Sequence, residues 1–196
     1  AKLNIEAKSY RKMSRLESTT DDTNFAWDAK SIGGEENFTT QFSSTSQNHL
    51  NSIINSLKDS ELGDFDLDSL VLDSFISEIK NIKSKFLENG PGFVIINSFV
   101  EKNTDSLDGI KNALLYVSAL LGTPIQQNAT GLMVKEVRDR SLSYTDDTTS
   151  RYSDNKHGGN YHTDGAEIPP PIPEYLPLLC IRPAKSGGAF KLISSY

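Results

Sequence analysis

The sequence predicts an α+β fold in which helices precede strands. Two segments, residues 68–89 and 106–121, carry apolar residues at three- and four-residue steps, the spacing of amphipathic helices packed on a core. The run Gly92–Ile96 between them is β-branched and aromatic, which favours a buried strand. Beyond Gly122 only short strand patterns follow. The length of 196 residues suits one domain with a sizeable core.

The N-terminal part predicts little regular structure. Residues 1–45 are rich in Ser, Thr, Asp and Asn and show no sustained period. We therefore predict an irregular arm with a short helix over residues 1–60, pinned by Phe25 and Trp27, and a single domain over residues 61–196.

Local signals set the ends of the two predicted helices. Gly90-Pro91 should end the first, because glycine suits the left-handed position after a helix and proline cannot continue one. Asp105 can cap the second at its start, and Gly122 should stop it.

Four short strands are predicted after the second helix, separated by polar or Pro/Gly-rich connections. They cover residues 132–137, 160–164, 176–181 and 189–193. The polar segment Arg138–Gly159 is long for a connection within a domain, and it fits either a lid over a site or a disordered loop.

Composition argues against several classes of partner. A formal net charge of −6 and a pI near 5.1 provide no basic stripe for nucleic acid or an anionic membrane surface. The start of the chain carries no apolar segment typical of a secretory signal or anchor, so we expect a cytoplasmic location. The single cysteine, Cys180, lies in an apolar run and is expected to be buried in the core.

His162 and Asp164 are the candidate metal ligands. Residues two apart on a strand project from the same face, so these side chains should converge, with Thr163 opposite. One imidazole and one carboxylate make two thirds of the facial triad that holds Fe(II). The alternative is a hydrogen-bonded pair on the surface. We expect His49 to face solvent from a helix, and His157 adjoins a Gly-Gly turn, so neither is assigned as a ligand.

The sequence around this pair resembles the taurine dioxygenase and clavaminate synthase-like family of Fe(II)/2-oxoglutarate-dependent oxygenases. Residues 157–165, His-Gly-Gly-Asn-Tyr-His-Thr-Asp-Gly, are similar to the family's first metal-binding strand. Residues 178–190 are similar to its later strand, turn and Gly-Gly strand. Residues 89–96 and 121–127 resemble its helix-to-strand entry and the segment after its next helix.

The resemblance implies a double-stranded β-helix, a jelly-roll barrel with flanking helices, of which residues 61–196 would form the N-terminal part. It implies Fe(II) as the metal, 2-oxoglutarate and O₂ as cosubstrates, and His162 and Asp164 as iron ligands. The family's second iron-binding histidine and its 2-oxoglutarate-binding arginine would follow Tyr196, in a C-terminal segment of the same domain. Ala189 and Phe190 replace a hydroxyl residue found in many relatives, so no cosubstrate contact is assigned there.

The implied reaction oxidises a C–H bond of a small polar molecule, such as an amino acid or a biosynthetic intermediate, and releases succinate and CO₂. Retention of Asp164 favours hydroxylation over halogenation, because halogenating relatives lack that carboxylate. Two alternatives remain open: a non-catalytic jelly-roll binding module or degenerate family member, and a metal-dependent enzyme of different chemistry.

Overall fold

A computed structural model describes residues 25–101, 104–128, 130–140, 159–164 and 173–194. The chain divides into two compact units, Ala1–Pro124 with Pro177–Tyr196, and Ile125–Leu176. The α-helices and β-strands of the described residues lie in the first unit, in the order β1 (Thr39–Gln41), α1 (Ser44–Ser56), α2 (Asp73–Ile82), β2 (Ile95–Asn97) and α3 (Leu107–Leu121). Each described helix is too short or too polar to cross a lipid bilayer.

The start of α1 is capped by Ser43, the residue directly before it, and by a carboxylate from α2. The Ser43 hydroxyl accepts a hydrogen bond from the Ser46 amide, the usual arrangement at a helix start. Glu78 of α2 accepts hydrogen bonds at 2.8 Å from both the amide and the hydroxyl of Ser43, and a further one from the Ser46 hydroxyl. The contact therefore fixes the start of α1 against α2.

The first predicted helix is confirmed, with a later start and a looser last turn. Its regular part is α2, which presents Phe75, Ile79 and Ile82 to the core. Residues Lys83–Glu88 continue it as a π-helical turn. The helix ends before Gly90, as predicted, and a Cβ at this position would come within 2.5 Å of the Lys85 carbonyl oxygen, so only glycine fits this turn.

The second predicted helix is also confirmed, except for its cap. Ser106, not Asp105, accepts the hydrogen bond from the Gly109 amide at the start of α3. Gly122 ends the helix, as predicted. Close packing explains Gly109, since a Cβ there would lie 2.2 Å from the backbone oxygen of Ile54 in α1. The two helices touch through their backbones at this point.

The two strands form a small parallel sheet. Thr39, Thr40 and Gln41 pair with Ile95, Ile96 and Asn97 in that order. β2 overlaps the last two residues of the predicted buried run and extends to Asn97, and Ile95 is 48% exposed. The other strand, β1, was not predicted, because three residues of Thr-Thr-Gln carry no strand period.

Aromatic rings from α2, α3 and the connection between β1 and α1 build the core of the first unit. The Phe75 ring lies 5.8 Å from the Tyr116 ring in a stacked arrangement and 5.5 Å from the Phe42 ring. The Tyr116 hydroxyl donates to the Leu70 carbonyl at 2.9 Å, so this polar tip is satisfied inside the core. The buried apolar side chains include Phe42, Leu50, Ile53, Ile54, Phe75, Ile79, Phe86, Ile110, Leu115 and Tyr116.

Trp27 anchors the described part of the predicted N-terminal arm. Its indole nitrogen donates to the Pro91 carbonyl at 2.8 Å, and its ring lies 5.3 Å from the Phe93 ring. Phe25 accepts a hydrogen bond at its carbonyl from the Ser194 hydroxyl. The predicted pinning is thus present from residue 25 onward, and residues 1–24 lie outside the described residues.

The strands predicted after Gly122 are not formed in the parts that the structure describes. Residues 132–137, 160–164, 176–181 and 189–193 have no strand assignment. A strand exists only when a neighbour completes its hydrogen-bond ladder, and no described segment pairs with these four. The predicted burial of Cys180 is wrong for the same reason, since its thiol is free and exposed.

The predicted lid or loop at Arg138–Gly159 falls almost wholly on residues 141–158, which lie outside the described residues.

The substitution Glu78→Gln should lower the free energy of unfolding at neutral pH but not in acid. Burial alone would raise the pKa of Glu78, but hydrogen bonds from Ser46 and Ser43 outweigh it and lower that pKa below its ordinary value of 4.5. A lowered pKa in the folded state means that the carboxylate stabilises the fold above pH 4.5 and that this contribution is lost as the pH falls through the folded pKa. The loss should be about 1 kcal/mol, as for a helix cap.

Urea unfolding of the wild type and Glu78→Gln between neutral pH and the acid range measures this. The difference between the two proteins should shrink towards zero at low pH. Glu61→Gln, at an exposed position, is the control and should leave the pH profile unchanged. A difference that stays constant down to the acid range would contradict a stabilising role for the Glu78 carboxylate.

Candidate metal centre

His162 and Asp164 lie in an irregular segment, residues 159–164, with a bend at Tyr161. The predicted strand is absent here, so the alternation of faces does not explain how the two side chains are placed. The His162 Nδ1 atom lies 2.8 Å from the backbone oxygen of Asn160. This hydrogen bond turns the ring back over the bend, and the opposite ring nitrogen, Nε2, faces Asp164.

The two predicted ligand atoms lie close to each other. Nε2 of His162 is 3.7 Å from Oδ1 of Asp164. Ligand bonds of about 2.1 Å to adjacent octahedral positions of one ion would place the two atoms about 3.0 Å apart. A side-chain movement of less than about 1 Å reaches that spacing. The pair therefore fits two ligand positions of a divalent metal.

The distances also bear on the alternative of a hydrogen-bonded surface pair. A separation of 3.7 Å is too long for a hydrogen bond between Nε2 and the carboxylate. The Asn160 carbonyl can only accept, so Nδ1 carries a proton, and in a neutral imidazole Nε2 is then an unprotonated acceptor. Nε2 and the carboxylate oxygen are then two acceptor atoms that face each other without a hydrogen bond between them. Only a doubly protonated ring could form an ion pair with Asp164.

Both side chains are accessible. The side chain of His162 is 62% exposed and that of Asp164 is 51% exposed, whereas the jelly roll that the resemblance implies would turn metal ligands towards the barrel interior. Inward orientation needs a barrel wall, and residues 159–164 belong to no strand in the part of the chain that the structure describes. Among the described residues, no group of three or more His, Cys, Asp or Glu side chains is placed to hold a metal. The structure thus brings together the two predicted ligands and no third.

The prediction that His49 faces solvent is wrong. It lies on α1, half-buried, with its ring 5.2 Å from the Phe75 ring and its Nε2 3.3 Å from the Tyr116 hydroxyl. Burial lowers the pKa of His49, and a hydrogen bond to the Leu70 carbonyl opposes this only in part. His49 is therefore a core residue. His157 lies outside the described residues.

A surface pocket in the first unit has a volume of about 680 Å³ and a mainly polar lining that includes four acidic residues. It lies between α1 and the start of α3. The Asn51 amide donates to Glu101 at 2.6 Å on its wall, and Ser106 donates to the Lys58 carbonyl. Sequence reasoning did not single out these residues, because acids scattered over residues 59–108 form no motif.

Comparison of the chain with family models, with curated proteins and with solved structures found no match. The assignment of His162 and Asp164 therefore rests on the motif and on the geometry of the pair.

Proposed function

We propose that this chain carries the iron-binding core of an Fe(II)/2-oxoglutarate-dependent oxygenase similar to taurine dioxygenase, with His162 and Asp164 as two of the metal ligands. The observation that carries the proposal is the approach of His162 Nε2 to Asp164 Oδ1, 3.7 Å, within the His-Thr-Asp-Gly motif. An imidazole nitrogen and a carboxylate oxygen are the donor set of the facial triad.

Each of the two side chains has a separate role in the proposed site. His162 supplies a neutral nitrogen ligand, so it leaves the charge of the metal unchanged. Asp164 supplies a charged oxygen that offsets part of that charge and, by occupying its position, favours hydroxylation over halogenation. When bound, Fe(II) supplies the redox chemistry that couples decarboxylation of 2-oxoglutarate, with O₂, to oxidation of a substrate C–H bond.

The proposal includes the fold that the resemblance implies, a jelly roll with flanking helices. Exposed apolar side chains support it. Leu176 and Leu178 are 48% and 62% exposed and Leu192 is 54% exposed, in segments where strands were predicted. In the proposed jelly roll, neighbouring strands would cover these side chains and remove their apolar surface from water. α1, α2 and α3 would be the flanking helices of the barrel.

The other parts of the proposal concern the setting of the reaction. The substrate would be a small polar molecule, such as an amino acid or a biosynthetic intermediate. The reaction would take place in the cytoplasm. The acidic character of the chain, with a formal net charge of −6, is consistent with a small-molecule enzyme that binds neither nucleic acid nor anionic membranes.

The test is conversion of 2-oxoglutarate to succinate by the full-length gene product with Fe(II) and ascorbate. We expect activity in the wild type and a loss of more than about 100-fold in His162→Ala and in Asp164→Ala, because removal of outer-shell partners alone costs 10–100-fold. Thr163→Ala is the matched control, since this exposed neighbour is not a proposed ligand, and it should retain activity.

Two results would decide for the alternatives. Absence of both iron binding and succinate formation in a folded wild-type protein would favour the binding module or degenerate member. Metal binding that depends on His162 and Asp164, without any succinate, would favour a metal-dependent enzyme of different chemistry. Equal loss in Thr163→Ala would show that the segment tolerates no change, and the ligand assignment would lose its support.

A further inference from the structure

The ring of His162 is held by the main chain of its own segment. Nδ1 lies 2.8 Å from the Asn160 carbonyl oxygen, within normal hydrogen-bond range. A carbonyl oxygen has no proton to give, so the proton of this hydrogen bond resides on Nδ1. The neutral imidazole carries only one ring proton. Nε2 is then unprotonated, with its lone pair directed towards the side of Asp164.

We infer that the Asn160 carbonyl fixes His162 in the Nδ1–H tautomer and so prepares Nε2 as a metal-binding atom before any metal arrives. Asn160 is then a positioning residue, whose backbone oxygen orients the ring of His162. An unconstrained imidazole favours the Nε2–H form, which would have to shift its proton before Nε2 could bind. The tautomer stands on the hydrogen bond alone, whereas its use in metal binding rests on the proposed function.

A competing interaction would favour the opposite tautomer. If Asp164 accepted a hydrogen bond from Nε2, the proton would reside there and Nδ1 would lose its partner. The distances decide between the two, since 2.8 Å to the Asn160 carbonyl is a hydrogen bond and 3.7 Å to Asp164 is not. The carboxylate therefore faces the lone pair of Nε2, as a second ligand would.

Nitrogen-15 NMR of the metal-free chain with labelled histidine measures the tautomer directly. At about pH 8 we expect a protonated Nδ1 and an unprotonated Nε2 for His162. The chain has three histidines, and the His162 signals are assigned by their loss in His162→Gln. A predominantly Nε2–H form of His162 would overturn the inference.

Three variants test the cause. Asp164→Asn should keep the Nδ1–H tautomer, and so should Asn160→Ala, since it retains the backbone carbonyl. Replacing the amide nitrogen of Tyr161 by oxygen turns the Asn160 carbonyl into an ester carbonyl, a weaker acceptor, and should shift His162 towards Nε2–H. A shift in Asp164→Asn, or none in the ester, would show that the carbonyl does not set the tautomer.

Addition of Zn²⁺ as a diamagnetic probe separates this inference from the proposed function. A change confined to the Nε2 signal, with the Nδ1 proton retained, would support both. An Nδ1–H tautomer that does not respond to Zn²⁺ would leave the positioning by Asn160 intact and count against the metal site. Binding of Zn²⁺ through Nδ1 would overturn the positioning, because that atom would then have to release its proton.

Discussion

Substitution Phe75→Ala should lower the free energy of unfolding of the first unit by about 3–5 kcal/mol, as for other large-to-small changes at buried aromatic positions. Phe75 is 0% exposed. Its ring lies within 6 Å of the rings of Phe42, His49 and Tyr116, so truncation leaves a cavity where three rings lose their contacts. Domains of this size are stable by only about 5–15 kcal/mol, and much of that would be lost.

Chemical denaturation followed by circular dichroism measures the loss, with Phe190→Ala as the matched control. Phe190 is 77% exposed, so its truncation in this chain should change the stability by less than about 0.5 kcal/mol. Equal effects of the two substitutions would contradict the core described here. A large effect of Phe190→Ala in the full-length gene product alone would support the proposal that further strands cover residues 189–193.

Substitution Asn112→Leu should cost several kcal/mol, although leucine has a similar size. The Asn112 side chain is fully buried and accepts from the Gly63 amide at 2.9 Å. It also donates to the carbonyls of Leu57 and Ser60 at 3.4 and 3.3 Å. Leucine offers none of these partners, and each buried group left unpaired costs about 1–3 kcal/mol.

Asn51→Leu is the control for Asn112→Leu, because Asn51 pairs with Glu101 at an exposed position. It should cost less than about 1 kcal/mol, as for other exposed polar pairs. Both variants are measured by thermal or urea unfolding at neutral pH. If Asn112→Leu proved as mild as its control, water would have to reach the turn at residues 57–63, and that turn would not be clamped to α3 as described.

The helices after residue 60 could be predicted from local sequence patterns. Apolar residues at helical spacing mark α2 and α3, and Gly122 ends α3, because these signals act between residues that are near in sequence. The anchoring of the arm by Trp27 was also predictable, because the large apolar ring of a tryptophan in a polar segment is stabilised by packing against the core.

The sequence also identified His162 and Asp164 as a pair, but for a reason that the structure does not bear out. Their convergence was predicted from strand alternation, and it arises instead at the bend around Tyr161, with the Asn160 carbonyl holding the ring. The sequence could not show that Ser106 and not Asp105 caps α3. Both side chains carry an oxygen that can accept a hydrogen bond from a helix amide, and the path of the backbone selects one of them.

Which strands form and which polar residues are buried depends on contacts between residues that are distant in sequence. β1, which was not predicted, pairs with β2 across 53 intervening residues, whereas the predicted strand around Cys180 belongs to no sheet among the described residues. His49 and Asn112 are held in the core by Tyr116, Gly63 and other groups distant in sequence. Strand pairing and the burial of polar side chains depend on such distant neighbours. A local pattern of side chains does not identify these neighbours.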